Sequence, residues 1–271
     1  MTRTTSLADS ARFDEIKRWI TAPEVRMRLQ GAATTDEIRA IAGELGIADQ
    51  GRDMGKFISL LKLIGVDFVA MIHDAAAARR AKLALVASEL DARADSLPRV
   101  RLWSAAVESG EEEASTGAFA VVDATGAVVW YGGFHPDYER IRQAGDVVSA
   151  EQSAADKAVY VAYKTRQAAG VEEVGLVMTT TCPELDVGAL RMSGARLGVA
   201  VEVVVDEENL SAVHIADMPG WRGLKDVPDE ELAGLVEAVD TTSDTGDAAE
   251  GADYIIDGID SVYESEEGGD E

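Results

Sequence analysis

Through residues 1–97 apolar positions recur at intervals of three and four, and no strand-like alternation interrupts them. That period marks helices. The clearest helix opens at Thr34, whose hydroxyl is placed to cap it while Glu37 reaches back in a capping box. Ile38, Ile41, Ala42 and Leu45 form its apolar stripe, and Gly46 ends it. After a five-residue link, a second helix carries Phe57, Leu60, Leu61 and Ile64 on one face and stops at Gly65. Residues 67–97 continue as one long or two shorter helices, with Leu83, Val86 and Leu90 on the buried side.

After Pro98 the period changes to two. Residues 99–107 (RVRLWSAAV) alternate and are rich in β-branched and aromatic side chains, as strands are. Residues 118–123 and 127–132 form two more strands around the turn Asp123-Ala-Thr-Gly126. Together they predict a three-stranded antiparallel meander. A long helix follows over 150–169 with Ser149 as its N-cap. Residues 174–179 (VGLVMT) and 199–205 (VAVEVVV) read as strands buried on both faces. Helices over 183–197 and 229–239 complete the pattern. The expected organisation is a helical domain over 1–97, an α/β domain over 98–240 and a disordered acidic tail over 241–271.

Composition sharpens this picture. Of 271 residues, 50 are acidic and 25 basic, giving a formal net charge of −25. A surface of that sign repels nucleic acid at long range. It suits either a salt-loving host or a basic partner, and titrating salt separates the two. Asp240 onward holds twelve acids and no basic residue, the composition of a disordered segment. Within it Tyr254, Ile255, Ile259 and Val262 place apolar groups at helical spacing, a segment suited to docking on a protein partner or on the chain itself. The lone Cys182 excludes an internal disulfide and a Cys-x-x-Cys site. Three scattered histidines argue against a histidine metal centre. No run of eighteen apolar residues and no export signal is seen, so a cytoplasmic location without a membrane is expected.

The paired helices over residues 34–65 resemble a helix-turn-helix unit. A DNA-binding version of it offers Arg52, Lys56 and Lys62 to the groove. Asp36, Glu37, Glu44, Asp49 and Asp53 oppose that use, and a packing module is the alternative.

The order of elements over 98–240, with the hairpin Val128-Val-Trp-Tyr-Gly-Gly and Ala150-Glu-Gln-Ser-Ala-Ala opening the first helix, resembles the ribonuclease H family. The resemblance implies a mixed sheet of three antiparallel strands followed by a βαβ unit. It also implies acids in the first strand, near the start of the first helix, at the end of the fourth strand and near the last helix. In active members these hold two divalent ions that activate water and stabilise the leaving oxygen. Glu151 matches the first-helix position, at the head of the inward stripe Ala154, Ala155, Ala158, Val159 and Ala162. The first-strand position falls near Ser104 and the fourth-strand position on Thr179 or Thr180, all without an acid. Asp229 or Glu230 fills the last.

Three readings follow. The first is a divergent ribonuclease H-like protein, catalytically inactive, that binds or scaffolds in the nucleic-acid metabolism of a prokaryote or its virus, with nucleic acid held through residues 34–65 or the α/β domain. The second is an active nuclease using Mg²⁺, with Glu151 and Glu230 as catalytic residues, Glu151 and Asp229 as metal ligands, and relocated carboxylates drawn from Asp123, Asp186 or Glu230. The third is a structural or protein-interaction protein that uses its acidic tail.

Overall fold

The computed structural model describes residues 7–47, 51–109, 116–135 and 139–237. The chain divides into two compact units, Met1–Lys82 and Leu83–Glu271. No helix among the described residues is long and apolar enough to cross a membrane.

The first unit holds α1 (Leu7–Thr21), α2 (Pro23–Gly31), α3 (Thr35–Glu44), α4 (Arg52–Leu61) and the start of α5 (Phe68–Arg93). Thr34 caps α3 as its sequence implies, accepting a hydrogen bond from the Glu37 amide at 3.2 Å. The Glu37 carboxylate reaches one residue past the cap and takes the Ala33 amide at 2.8 Å. Ile16, Ile20, Leu29, Ile38, Phe57 and Leu61 form the buried centre of this unit. The α3 and α4 stripes are thus consumed by packing against α1 and α2.

The second unit contains β1 (Arg99–Ser109), β2 (Thr116–Asp123), β3 (Val128–Gly133), α6 (Val147–Ala169), β4 (Val174–Thr180), α7 (Val187–Leu197), β5 (Val199–Val205), α8 (Ser211–Ala216), α9 (Asp229–Ala233) and β6 (Val236–Glu237). The strands lie in the order β3-β2-β1-β4-β5. β1, β2 and β3 pair antiparallel, whereas β1, β4 and β5 pair parallel. This is the expected meander followed by a βαβ unit. β2 pairs with β1 from Leu102 onward, which leaves Arg99 and Val100 for β6.

α6 lies on one face of the sheet. Its Ala154, Ala158 and Ala162 let the helix approach Val100, Leu102, Leu176 and Met178 closely, and all of them are buried in one cluster. On the opposite face Ala212 of α8 packs against Ala105 and Val122. α7 returns to β5 through a close contact that only glycine permits: a methyl group on Gly194 would fall onto the Val199 carbonyl oxygen and within 2.6 Å of a Val201 methyl.

Five local expectations are corrected. α6 starts at Val147, because Asp146 is the cap: its Oδ1 accepts from the Val148 amide at 3.1 Å. Ser149 sits inside the first turn and donates to the Asp146 carbonyl at 2.9 Å. α7 starts at Val187 rather than at Pro183, because Asp186 takes the Ala189 amide at 2.9 Å. The last helix stops at Ala233, where Gly234 follows and the chain turns into β6. β5, expected to be buried on both faces, is the edge strand of the sheet, and Glu202, Val204 and Val205 on it are exposed. The short helix α8 lies in a segment without an expected element.

The turn between β2 and β3 is held by Asp123, whose Oδ1 accepts from the Thr125 amide (2.8 Å), the Thr125 hydroxyl (2.7 Å) and the Ala127 amide (2.9 Å). Gly126 supplies the left-handed residue, with φ 84°. Asp123→Ala is expected to cost about 1–2 kcal/mol, seen as a lower urea midpoint at unchanged slope. An unchanged midpoint would show that the carboxylate is not what holds the turn.

Candidate functional site

Glu151 owes its position to the start of α6. The Asp146 cap and the Ser149 hydroxyl fix the first turn, so residue 151 faces the sheet and is 4% exposed. β1 extends beyond its parallel pairing with β4, whose last pair is Trp103 with Thr179. The Ala106 amide, beyond that point, donates to the Glu151 carboxylate. The other oxygen, Oε2, is buried without a hydrogen-bond partner. Burial outweighs the Ala106 bond and pushes the carboxyl up from its ordinary 4.5 to about 7.

Ser104 and Thr180 share this face of the sheet. Leu102 and Met178 are a parallel pair pointing at α6, and Ser104 and Thr180 each lie two residues further on. Both are buried, at 1% and 2% exposure. Ser104 Oγ has no partner, and Thr180 Oγ1 accepts from the Cys182 amide at 3.1 Å. Of the two threonines the sequence offered, Thr180 therefore takes the inward position. Cys182 is half-buried; burial first, and then the charges of Glu151 and Glu184, push its thiol up.

This donor set does not fit a pair of divalent cations. It supplies one carboxyl with a raised pKa, two hydroxyls and a thiol whose pKa is pushed up, where Mg²⁺ takes hard, charged oxygens. Among the described residues no group of three His, Cys, Asp or Glu side chains is arranged to hold a metal. Asp229 and Glu230 open α9 and are exposed, and neither contributes to the electrostatics of Glu151. Asp123 is committed to its turn and Asp186 to the cap of α7. The Asp186 backbone does approach α6, through its amide donating to Gln152 Oε1 at 2.8 Å.

The candidate DNA-contacting residues fare unevenly. Arg52 begins α4 and is exposed, as is Lys62 beyond its end. Lys56 instead lies 3.1 Å from Asp53, which also binds Arg12 at 3.0 Å. Arg12 and then Lys56 hold the Asp53 carboxyl below its usual range. The apolar island around Tyr254, Ile255, Ile259 and Val262 falls outside the described residues.

The most elaborate polar cluster escaped the sequence reading. Lys157, on the inward stripe of α6 and 3% exposed, places its Nζ 3.4 Å from Glu139 Oε2. The same ammonium lies over the rings of Phe119, Trp130 and Phe134, at 4.9, 5.2 and 5.8 Å from their centroids. Glu139 Oε1 also accepts from Ser153 Oγ at 2.7 Å and from the Ile141 amide at 3.3 Å. Next to it a buried Arg142 grips both oxygens of Glu108. The available signal was a lysine inside an alanine-rich buried stripe, which demands a counter-charge.

No family profile and no curated protein matches the chain. Among solved structures, it is similar over 44% of its length to RNase H1 from the halophilic archaeon Halobacterium salinarum NRC-1, at 16% identity, 95% coverage of that chain and a TM-score of 0.27. It is similar over 44% to LC11-RNase H1 in complex with an RNA/DNA hybrid, at 9% identity, 94% coverage of that chain and a TM-score of 0.30. Over 51% it is similar to the N-terminal RNase H domain of a Mycobacterium tuberculosis protein, solved as a fusion with maltose binding protein, at 15% identity, 96% coverage and a TM-score of 0.27. The α/β unit is ribonuclease H-like, and its own strand order, pairing directions and α6 crossover are the grounds for that assignment.

Proposed function

We propose that this protein is a divergent ribonuclease H-like protein that serves as a binding or scaffolding module in nucleic-acid metabolism and does not itself cleave a phosphodiester. One observation carries the reading: Glu151, which the resemblance matches to the family's helix acid, is buried against the sheet, and the side chains sharing that face are the hydroxyls of Ser104 and Thr180. Two dications bound there would face one carboxylate, too little negative charge to offset the loss of their water shells.

A metal-dependent nuclease is the second reading, favoured by the buried Glu151 Oε2 that has no partner. It requires further acids to converge on Glu151, and Asp123 and Asp186 each hold a turn or a cap elsewhere.

The test is incubation of the purified protein with an RNA–DNA hybrid, a single strand and a branched DNA in magnesium or manganese. All three substrates are expected to remain intact. Metal-dependent cleavage that disappears in Glu151→Gln would overturn the inactive reading and establish the second.

A further inference from the structure

Six residues beyond Glu151 along α6, over β2 and β3, lies a cavity of about 370 Å³ that the reading above does not use. Its walls include Phe119, Trp130, Tyr131, Phe134 and Trp221, and Lys157 forms part of its lining. Trp221 is 57% exposed. An indole left this far in water contributes little to folding, yet its backbone is fixed firmly.

That fixation has three parts. Tyr131 and Arg222 exchange backbone hydrogen bonds, at 3.2 Å and 2.9 Å, which joins the Trp221 segment to the edge of β3. The Arg222 guanidinium donates to the Val128 carbonyl and lies 2.9 Å from both Glu231 oxygens. Trp221 then sits against Gly132, where a methyl group would come within 3.2 Å of its Cβ. The backbone that carries an exposed aromatic ring is therefore clamped beside a cluster of buried ones.

The chemistry of the lining selects the ligand. Aromatic faces favour a flat ring. The lysine is charge-compensated by Glu139, so the pocket is not built for a polyphosphate, and the chain's net charge of −25 disfavours one further. Ammonium and phenol groups provide polar partners for the heteroatoms of a ring. We infer that this pocket binds a single nucleobase, stacked on Trp221 at the mouth with its polar edge turned toward Lys157 and Tyr131. The base is the shared chemistry of two sources, a free nucleotide and an unpaired end of a strand. This inference goes beyond the scaffold reading, since binding of a free nucleoside is enough to establish it.

Titrating the full chain in EDTA with nucleosides, nucleoside monophosphates, a short single strand and ribose 5-phosphate, and following tryptophan quenching, tests it. Cleavage plays no part in this measurement, so a nuclease activity found elsewhere leaves it intact. At least one base-containing ligand is expected to saturate the signal, and ribose 5-phosphate is not. Saturation by the monophosphate assigns a free nucleotide; saturation by the strand alone assigns a strand end. Trp221→Ala, read by calorimetry because it removes a reporter, should weaken binding about tenfold or more at unchanged circular dichroism, while Trp221→Phe retains most of it. Equal binding of ribose 5-phosphate, full affinity in folded Trp221→Ala, or no binding of any base would overturn the inference.

Discussion

Lys157→Met is expected to lower unfolding stability by about 3–5 kcal/mol, measured by urea denaturation at neutral pH. Methionine nearly conserves the volume and can still lie against Phe119, Trp130 and Phe134, so the loss is mainly electrostatic. Burial acts to raise the Glu139 carboxyl; Lys157, Ser153 and two backbone amides outweigh it and hold the group below the usual carboxylate range. Removing the lysine leaves that carboxylate, with its side chain 7% exposed, without the ammonium beside its Oε2 and held by Ser153 and two backbone amides alone among its hydrogen-bond donors. A group with a depressed folded pKa contributes stability above its unfolded pKa and loses it as pH falls through the folded value. The variant should lose that contribution, so its deficit narrows in acid. Adding Glu139→Gln should restore a large part of the stability, because the uncompensated charge is then gone. A single variant as stable as the parent would show that the pair is energetically neutral.

Glu151→Gln is expected to stabilise the protein at pH 8 by up to about 3 kcal/mol. The carboxyl titrates near 7 when folded, against 4.5 ordinarily, so the folded state holds its proton more tightly. The associated stability is fully present below pH 4.5, declines as pH rises and is lost once pH passes about 7. Glutamine has no proton to lose and can still accept from Ala106. The stability curves of the two proteins should therefore converge near pH 4.5 and separate toward pH 8. Parallel curves would mean that Glu151 is solvated or has an acquired partner. A rise in parent stability on adding Mg²⁺ at pH 8, absent in the variant, would identify that partner as a metal.

Much of the fold was legible because each element's burial matches its period. β4, an apolar run up to its closing threonines, lies inside the sheet as its composition requires, whereas β5 is the edge strand and only its first three residues are buried. The Asp123 turn behaves as its residues predict. The burial of Glu151 was legible from its place at the head of an alanine stripe. Helix starts were misplaced where two cap residues compete: Asp146 and Ser149 both suit the role, and only the backbone path decides between them. The short β6 was hidden because two residues carry no period, and its pairing depends on β2 releasing Arg99 and Val100. The Lys157 cluster was hidden for a different reason. Its partner Glu139 is 18 residues earlier in a segment with no regular pattern, and the rings come from β2, β3 and the residue after it. The aromatic pocket likewise joins Phe119 on β2 to Trp221, which lies beyond α8.

The shared position of β1 has a consequence for the order in which the sheet is assembled. Its pairing with β2 needs only a short stretch of chain to close, whereas pairing with β4 spans the whole α6 crossover, and pairing with β6 joins Val100 to Val236 near the far end of the described chain. Loop-closure entropy rises with each of these spans. The hairpins therefore offer β1 its first template, and the parallel half is added by zipping onto a strand whose register is already set. A slip in that early template would propagate to Ser104 and Ala106, carrying the neighbours of Glu151 to the opposite face before the helix ever arrives.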